Sequence, residues 1–120
     1  MRLSLPWPPQ VNHYYAVFRG RKILSKKGRE YKKTVAKKLL DMSLTRKIRT
    51  FGSKRLALTI QAYPPDKRKR DLSNILKALE DALQNGGLFD DDSQIDVLHI
   101  YRKQVSKPGY VLVEIQHYIP

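Results

Sequence analysis

Carboxylates gathered between residues 71 and 96 are the first feature of this sequence that could do chemistry. Seven of its eleven acids (Asp71, Glu80, Asp81, Asp90, Asp91, Asp92 and Asp96) fall there, and Lys77 is the only base among them. Clustered carboxylates repel one another, and a divalent cation is the economical way to neutralise them. Mg²⁺ takes carboxylate and phosphate oxygens in near-octahedral geometry and keeps several waters, so two or three acids suffice. Such an ion can polarise a phosphodiester, generate hydroxide from bound water and stabilise a leaving 3′ oxygen. A plainer reading fits the same residues: Asp71 caps a helix, Glu80 and Asp81 lie on its solvated face, and Asp90 to Asp92 form a loop.

Position argues for the chemistry. Lys67, Arg68, Lys69 and Arg70 stand directly before Asp71, where they would bring a phosphate to the carboxylate. The chain as a whole has 24 Lys and Arg against 11 acids in 120 residues, a formal net charge of +13. A field of that sign concentrates polyanions, and nucleic acid suits it better than an anionic membrane, because the basic residues bracket an acidic island. With no cysteine, disulfides, thiolate metal sites, Cys nucleophiles and iron–sulfur clusters are excluded. His13, His99 and His117 are too scattered for a histidine metal site. No apolar run approaches a membrane span and the N-terminus lacks a signal-peptide apolar region, so cytoplasmic residence is expected.

The elements that must position these residues read as one α+β domain over residues 1–120, in the order strand, helix, strand, helix, strand, strand. Leu3, Leu5 and Trp7 alternate on a first strand stopped by Pro8 and Pro9. The aromatic segment 11–18 reads as strand or ordered loop. From Ser25 to about Leu44, Tyr31, Val35 and Leu39 recur at helical spacing, opposite a face rich in Lys26, Lys27, Lys33 and their neighbours. Residues 45–54 form a basic connector, and 55–63 alternate as a second strand. Helix resumes at Asp71 and runs to about Gln84 along Leu72, Ile75, Leu76, Leu79 and Leu83, with Asn85-Gly86-Gly87 as its stop. Residues 95–105 and 110–119 read as a final hairpin, giving a sheet of about four strands packed with helices.

On a wheel of about 100° per residue, Asp71 borders the buried edge of its helix, while Ser73 and Lys77 fall on the polar side. Three adjacent acids in an extended stretch would put Asp90 and Asp92 on one side and Asp91 on the other. Trp7, Tyr14, Tyr15 and Phe18 could either stack on unpaired bases or belong to the core, and core is favoured for Trp7.

Ordered blocks across the chain resemble the RusA family of Holliday junction resolvases, small endodeoxyribonucleases associated with phages and prophages. The blocks are Leu5-Pro6-Trp7-Pro8-Pro9 with Asn12, Tyr14 and Tyr15; Ser25, Gly28, Tyr31 and Val35; Pro65 to Leu72; Asn74, Lys77, Ala78, Asp81, Ala82 and Leu83; and Asp91-Asp92-Ser93-Gln94. The resemblance implies a homodimer that binds four-way DNA junctions and resolves them by paired symmetric nicks, in recombination and repair, with Mg²⁺ or Mn²⁺ and no nucleotide cofactor. It puts Asp71 and Asp92 on the family's metal-binding catalytic aspartates, Lys77 on its catalytic lysine, and Asp91 beside them as a further metal-binding acid. Lys67, Arg68, Lys69, Arg70, Lys26, Lys27 and Lys33 are the expected DNA-binding residues. One position departs: where the family carries Asp-Leu-Asp-Asn, this chain reads Asp71-Leu72-Ser73-Asn74. A hydroxyl is a weaker Mg²⁺ ligand than a carboxylate, so the alternative expectation is a branched-DNA-binding protein with weak or no cleavage.

Overall fold

The computed structural model describes residues 1–45, Ile48 and 50–120; Arg46, Lys47 and Arg49 of the basic connector lie outside the described residues. In chain order the elements are β1 (Arg2–Pro6), α1 (Val11–Tyr14), β2 (Tyr15–Phe18), β3 (Arg21–Leu24), α2 (Lys26–Leu44), β4 (Leu56–Tyr63), a 3₁₀ turn (Leu72–Ile75), α3 (Leu76–Asn85), a second 3₁₀ turn (Asp92–Gln94), β5 (Ile95–Arg102) and β6 (Tyr110–His117). No helix among the described residues is long and apolar enough to cross a membrane.

The main sheet has the order β1-β6-β4-β5. β4 takes an inner position because alternate residues, Leu56, Leu58, Ile60 and Ala62, are fully buried, which a strand achieves only with a neighbour on each side and a layer on its face. The buried sides of β1 (Leu3, Leu5) and β6 (Val111, Val113, Ile115) meet the same layer. α2 supplies Tyr31, Val35 and Leu39 to it, and α3 supplies Ala78, Leu79, Ala82 and Leu83. β4 and β5 are parallel, so the chain must cross over between them, and that crossover carries the basic loop, the helix and the acidic turn.

Three sequence expectations change. The segment 11–18 is a helical turn followed by β2, which pairs antiparallel with β3 as a separate two-stranded hairpin; β3, a short exposed strand, carries no periodic signal. The last two strands do not form a hairpin, because β5 lies on one side of β4 and β6 on the other. Helix over 71–84 begins as the 3₁₀ turn Leu72–Ile75 before α3 takes over, and Asp71 stands before that turn in extended backbone, exposed rather than at the buried edge of a helix.

Ser25 caps α2 by accepting from the Gly28 backbone N–H. Gly28 is itself required, since a Cβ there would meet the Tyr14 carbonyl oxygen at 2.7 Å and its ring at 2.9 Å. Gly28→Ala is therefore expected to cost about 1–3 kcal/mol by overpacking, read as a lowered midpoint in urea unfolding with unchanged slope.

Candidate nuclease site

The basic run folds around one acid. Asp66 Oδ1 accepts from the Arg68 backbone N–H at 2.9 Å, an Asx turn, and from Arg70 Nη1 at 2.6 Å. The Arg70 side chain is only 10% exposed; its guanidinium also donates to the carbonyls of Asp66 and Arg68 and lies 6.0 Å from the centre of the Trp7 ring. Arg102 at the end of β5 ties down the Arg70 carbonyl at 2.6 Å. Of the four cations read as DNA-binding, Arg70 is thus spent largely on holding the loop, while Lys67, Arg68 and Lys69 are exposed. Arg70 holds the Asp66 carboxyl down to about 2.

A groove of about 260 Å³ joins this loop to α2. It is lined by Trp7, Pro8, Pro9, Gln10, His13, Lys27, Arg68 and Arg70. The two sets of bases are therefore brought together through Lys27. Lys26, paired with Glu30 at 3.9 Å, and Lys33 are exposed but do not line the groove.

Asp71 follows the loop as the residue before the first 3₁₀ turn. Its side chain caps nothing, so the simple capping role does not apply. Ser73 is exposed beside it. Six residue steps then lead from Asp71 to Lys77 through 3₁₀ and α backbone, a rise of about 10 Å.

Lys77 is exposed but oriented: Nζ donates to Asp81 Oδ1 at 3.2 Å, and Tyr14 Oη donates to Asp81 Oδ2 at 2.9 Å. Both Asp81 oxygens are occupied, so this acid is engaged within the fold. The bond to Asp81 raises the Lys77 pKa, with a smaller push from Asp92, so the ammonium stays charged throughout the neutral range. Burial and its own hydrogen bond to Asp81 push the Tyr14 phenol up. Glu80, expected on a solvated face, is half-buried, and burial with Asp92 nearby raises its pKa.

The acidic turn is held by Gln94, the one buried polar side chain among the described residues. Its amide nitrogen donates to the Gly52 and Lys54 carbonyls at 2.8 and 2.7 Å, and its oxygen accepts from the Asp91 N–H at 2.7 Å. Asp91 in turn accepts from the Ser93 N–H at 3.0 Å and completes a capping box, so one of its oxygens is engaged. The Asp92 N–H donates to Gln84 Oε1 on α3 at 3.0 Å, which sets Asp92 against the helix within electrostatic reach of Lys77 and Glu80. Asp90 is exposed.

The arrangement thus sets Asp92 within electrostatic reach of Lys77 and keeps Asp71 just before the helical segment, at its loop end. No three His, Cys, Asp or Glu among the described residues gather as a metal cage. The donor chemistry still suits a hard dication, because Asp71 and Asp92 are carboxylates outside any ion pair among the described residues and Mg²⁺ is commonly held by one or two such groups with water and phosphate. Sequence reasoning missed Tyr14 and Gln94 as positioning residues. The Lys77–Asp81 spacing of four was the available signal for the ion pair and the Asp91–Gln94 spacing of three for the capping box, whereas Tyr14 and the remaining bonds of Gln94 act across long sequence separations.

Residues 6–116 match the family model described as Endodeoxyribonuclease RusA. The chain is 35% identical over 111 residues to the crossover junction endodeoxyribonuclease rusA of Enterobacteria phage 82, covering 89% of this chain and 86% of the relative. The RusA protein of Escherichia coli K12, also named a crossover junction endodeoxyribonuclease, gives the same identity and coverage. That of Enterobacteria phage HK97 is 37% identical over 105 residues, covering 88% and 83%.

The loop lock makes a pH prediction. A carboxyl held down in the folded chain contributes stability that is complete above its ordinary range, near 3.8, and is lost as pH falls toward about 2. Asp66→Asn should therefore melt below wild type at neutral pH, with the gap narrowing between about pH 4 and pH 2; thermal melts across that range check it.

Proposed function

This chain belongs to the RusA family of endodeoxyribonucleases, and from that premise we propose that it binds four-way DNA junctions and resolves them by paired symmetric nicks, in recombination and repair. The observation that carries the reading is the short segment in which three exposed cations, Lys67, Arg68 and Lys69, lead into an uncapped Asp71 just before the helical run that carries the oriented Lys77. Phosphates drawn to the loop and to Lys27 would bring the backbone across the start of that run. Asp71 and Asp92 are the carboxylates that would hold Mg²⁺ or Mn²⁺, with Asp91 beside them. Bound there, the ion would supply an activated water and Lewis acidity at the phosphorus.

Lys77 has the remaining electrostatic role. Its ammonium, kept charged and aimed by Asp81, suits the negative charge that builds on the phosphoryl oxygens. A homodimer with one such site per chain would present two sites related by a two-fold axis, matching the near two-fold symmetry of a junction and the pairing of the nicks. Such an enzyme works where the DNA is, in the cytoplasm.

Ser73 favours a second reading, in which the chain holds branched DNA without cutting it. The test incubates the protein with a synthetic four-way junction, a linear duplex and a single strand, each with EDTA, Mg²⁺ or Mn²⁺, and resolves binding and nicking together. Paired, metal-dependent nicks confined to the junction are expected. Asp71→Asn and Asp92→Asn should abolish them with binding retained, and Lys77→Ala should slow them by about 10²- to 10³-fold. Junction-selective binding without nicks under either metal would establish the second reading instead. Because Ser73 is exposed, Ser73→Asp should fold normally and keep or raise the nicking rate; lower nicking with intact binding would count against the idea that Ser73 weakens the metal site.

A further inference from the structure

The β2–β3 hairpin leaves three apolar side chains in water. Val17 is 79% exposed, Phe18 57% and Ile23 38%, on a ribbon that is not continuous with the main sheet. Isolated two-stranded ribbons are marginal, and this one is fastened only at its base. There the Ser25 N–H donates to the Tyr14 carbonyl at 2.9 Å, and the Tyr14 and Tyr15 rings meet edge-on at 4.9 Å. At the tip Arg19 and Gly20 both have positive φ, 51° and 73°, the two-residue turn that matches strand twist. Arg19 is the only non-glycine with positive φ among the described residues. The turn sets its guanidinium 5.2 Å from the centre of the Phe18 ring, and Arg21 pairs directly across from Phe18. No acid occurs in residues 1–29.

An exposed ring with one guanidinium against it and a second arginine at the cross-strand position has the chemistry of a base-stacking wedge with phosphate anchors. Its location fits. Tyr14, at the hairpin's root, holds Asp81 and through it Lys77, and Phe18 lies three strand steps further out, about 10 Å from Tyr15. That span is about three nucleotides of a stacked strand. Of the four aromatics that could have served as wedges, Tyr14 is buried and Trp7 and Tyr15 are half-buried; only Phe18 is in solvent.

We propose that the hairpin reads the branch: Phe18 stacks on a base left unstacked at the crossover while Arg19 and Arg21 engage the flanking phosphates. In continuous duplex every base is already stacked, so Phe18 has no partner there and adds nothing. The wedge therefore contributes selectivity for branched over linear DNA, and it rests on the reading of the chain as a junction-binding enzyme.

The test measures junction and duplex affinities in EDTA for wild type, Phe18→Ala and Phe18→Trp, with melting curves expected to coincide because the ring is in solvent. Wild type should prefer the junction. Phe18→Ala should lose about tenfold or more in junction affinity, the size of one base–aromatic stack, while its duplex affinity stays within about twofold of wild type. Phe18→Trp should keep the preference and show fluorescence quenching on junction binding beyond that of Trp7 in wild type. An unchanged ratio in Phe18→Ala, or an equal loss on both DNAs, overturns the wedge alone. No junction preference in wild type overturns the wedge and the resolvase reading together. Loss of binding to anionic vesicles with junction affinity intact reassigns the hairpin to a lipid surface and also overturns it.

Discussion

Tyr14 is the constraint on which the rest of the arrangement depends. A buried phenol must find a hydrogen-bond partner, and this one finds Asp81 on α3, 67 residues away in sequence. Its carbonyl takes the Ser25 N–H at the start of α2, its ring and carbonyl occupy the space that Gly28 leaves open, and Tyr15 carries the chain directly into the hairpin. One residue therefore fixes four elements relative to one another. Because Asp81 is anchored from one side by Tyr14, its second oxygen can hold Lys77 in a defined direction, which an exposed lysine on an isolated helix would lack. An i,i+4 ion pair at a surface is worth only a few tenths of a kcal/mol. Its value here lies in orientation.

The crossover from β4 to β5 solves a placement problem of the same kind. Parallel strands need a long connection, and this connection contains the basic loop, the segment from Asp71 to Asn85 and the acidic turn. Each end is stitched down separately: the loop through Asp66, Arg70 and Arg102, the turn through Gln94 and Gln84. Groups of opposite charge that would collapse on one another in a flexible chain are thereby kept apart along α3.

What was legible in the sequence follows from the range of the forces involved. β4, α2 and the apolar stripe of α3 were readable because burial imprints periods of 2 and 3.6 on the residues themselves. The likeness of ordered blocks was readable too, and it carried the family. Strand order was not: β6 inserts between β1 and β4, and adjacency of the last two strands in the chain suggested a hairpin that the sheet does not contain. β3 was invisible because only one of its four residues, Leu24, is as much as half-buried. The 3₁₀ start at Leu72–Ile75 escaped a wheel drawn at α-helical pitch, and the wheel also counted Asp71 as helical although its backbone is extended and its side chain exposed. For Gln94 only the local half was legible, its spacing of three from Asp91 in a capping box; its other partners, Gly52 and Lys54, lie 40 residues or more away.

Charge is distributed in this chain by function rather than by sum. Residues 66–71 hold four bases between two acids, and counted together they would all appear to face a phosphate. The structure divides them. Asp66 draws Arg70 inward against Trp7 and accepts from the Arg68 backbone N–H, which ties the loop to itself, while Lys67, Arg68 and Lys69 remain exposed. Ordering a mobile basic segment on binding would subtract from the electrostatic gain, whereas a segment already fixed by an internal ion pair keeps it. The acid inside the basic run thus sets which of its bases stay exposed to solvent, and under the proposed function those are the ones a phosphate would meet first.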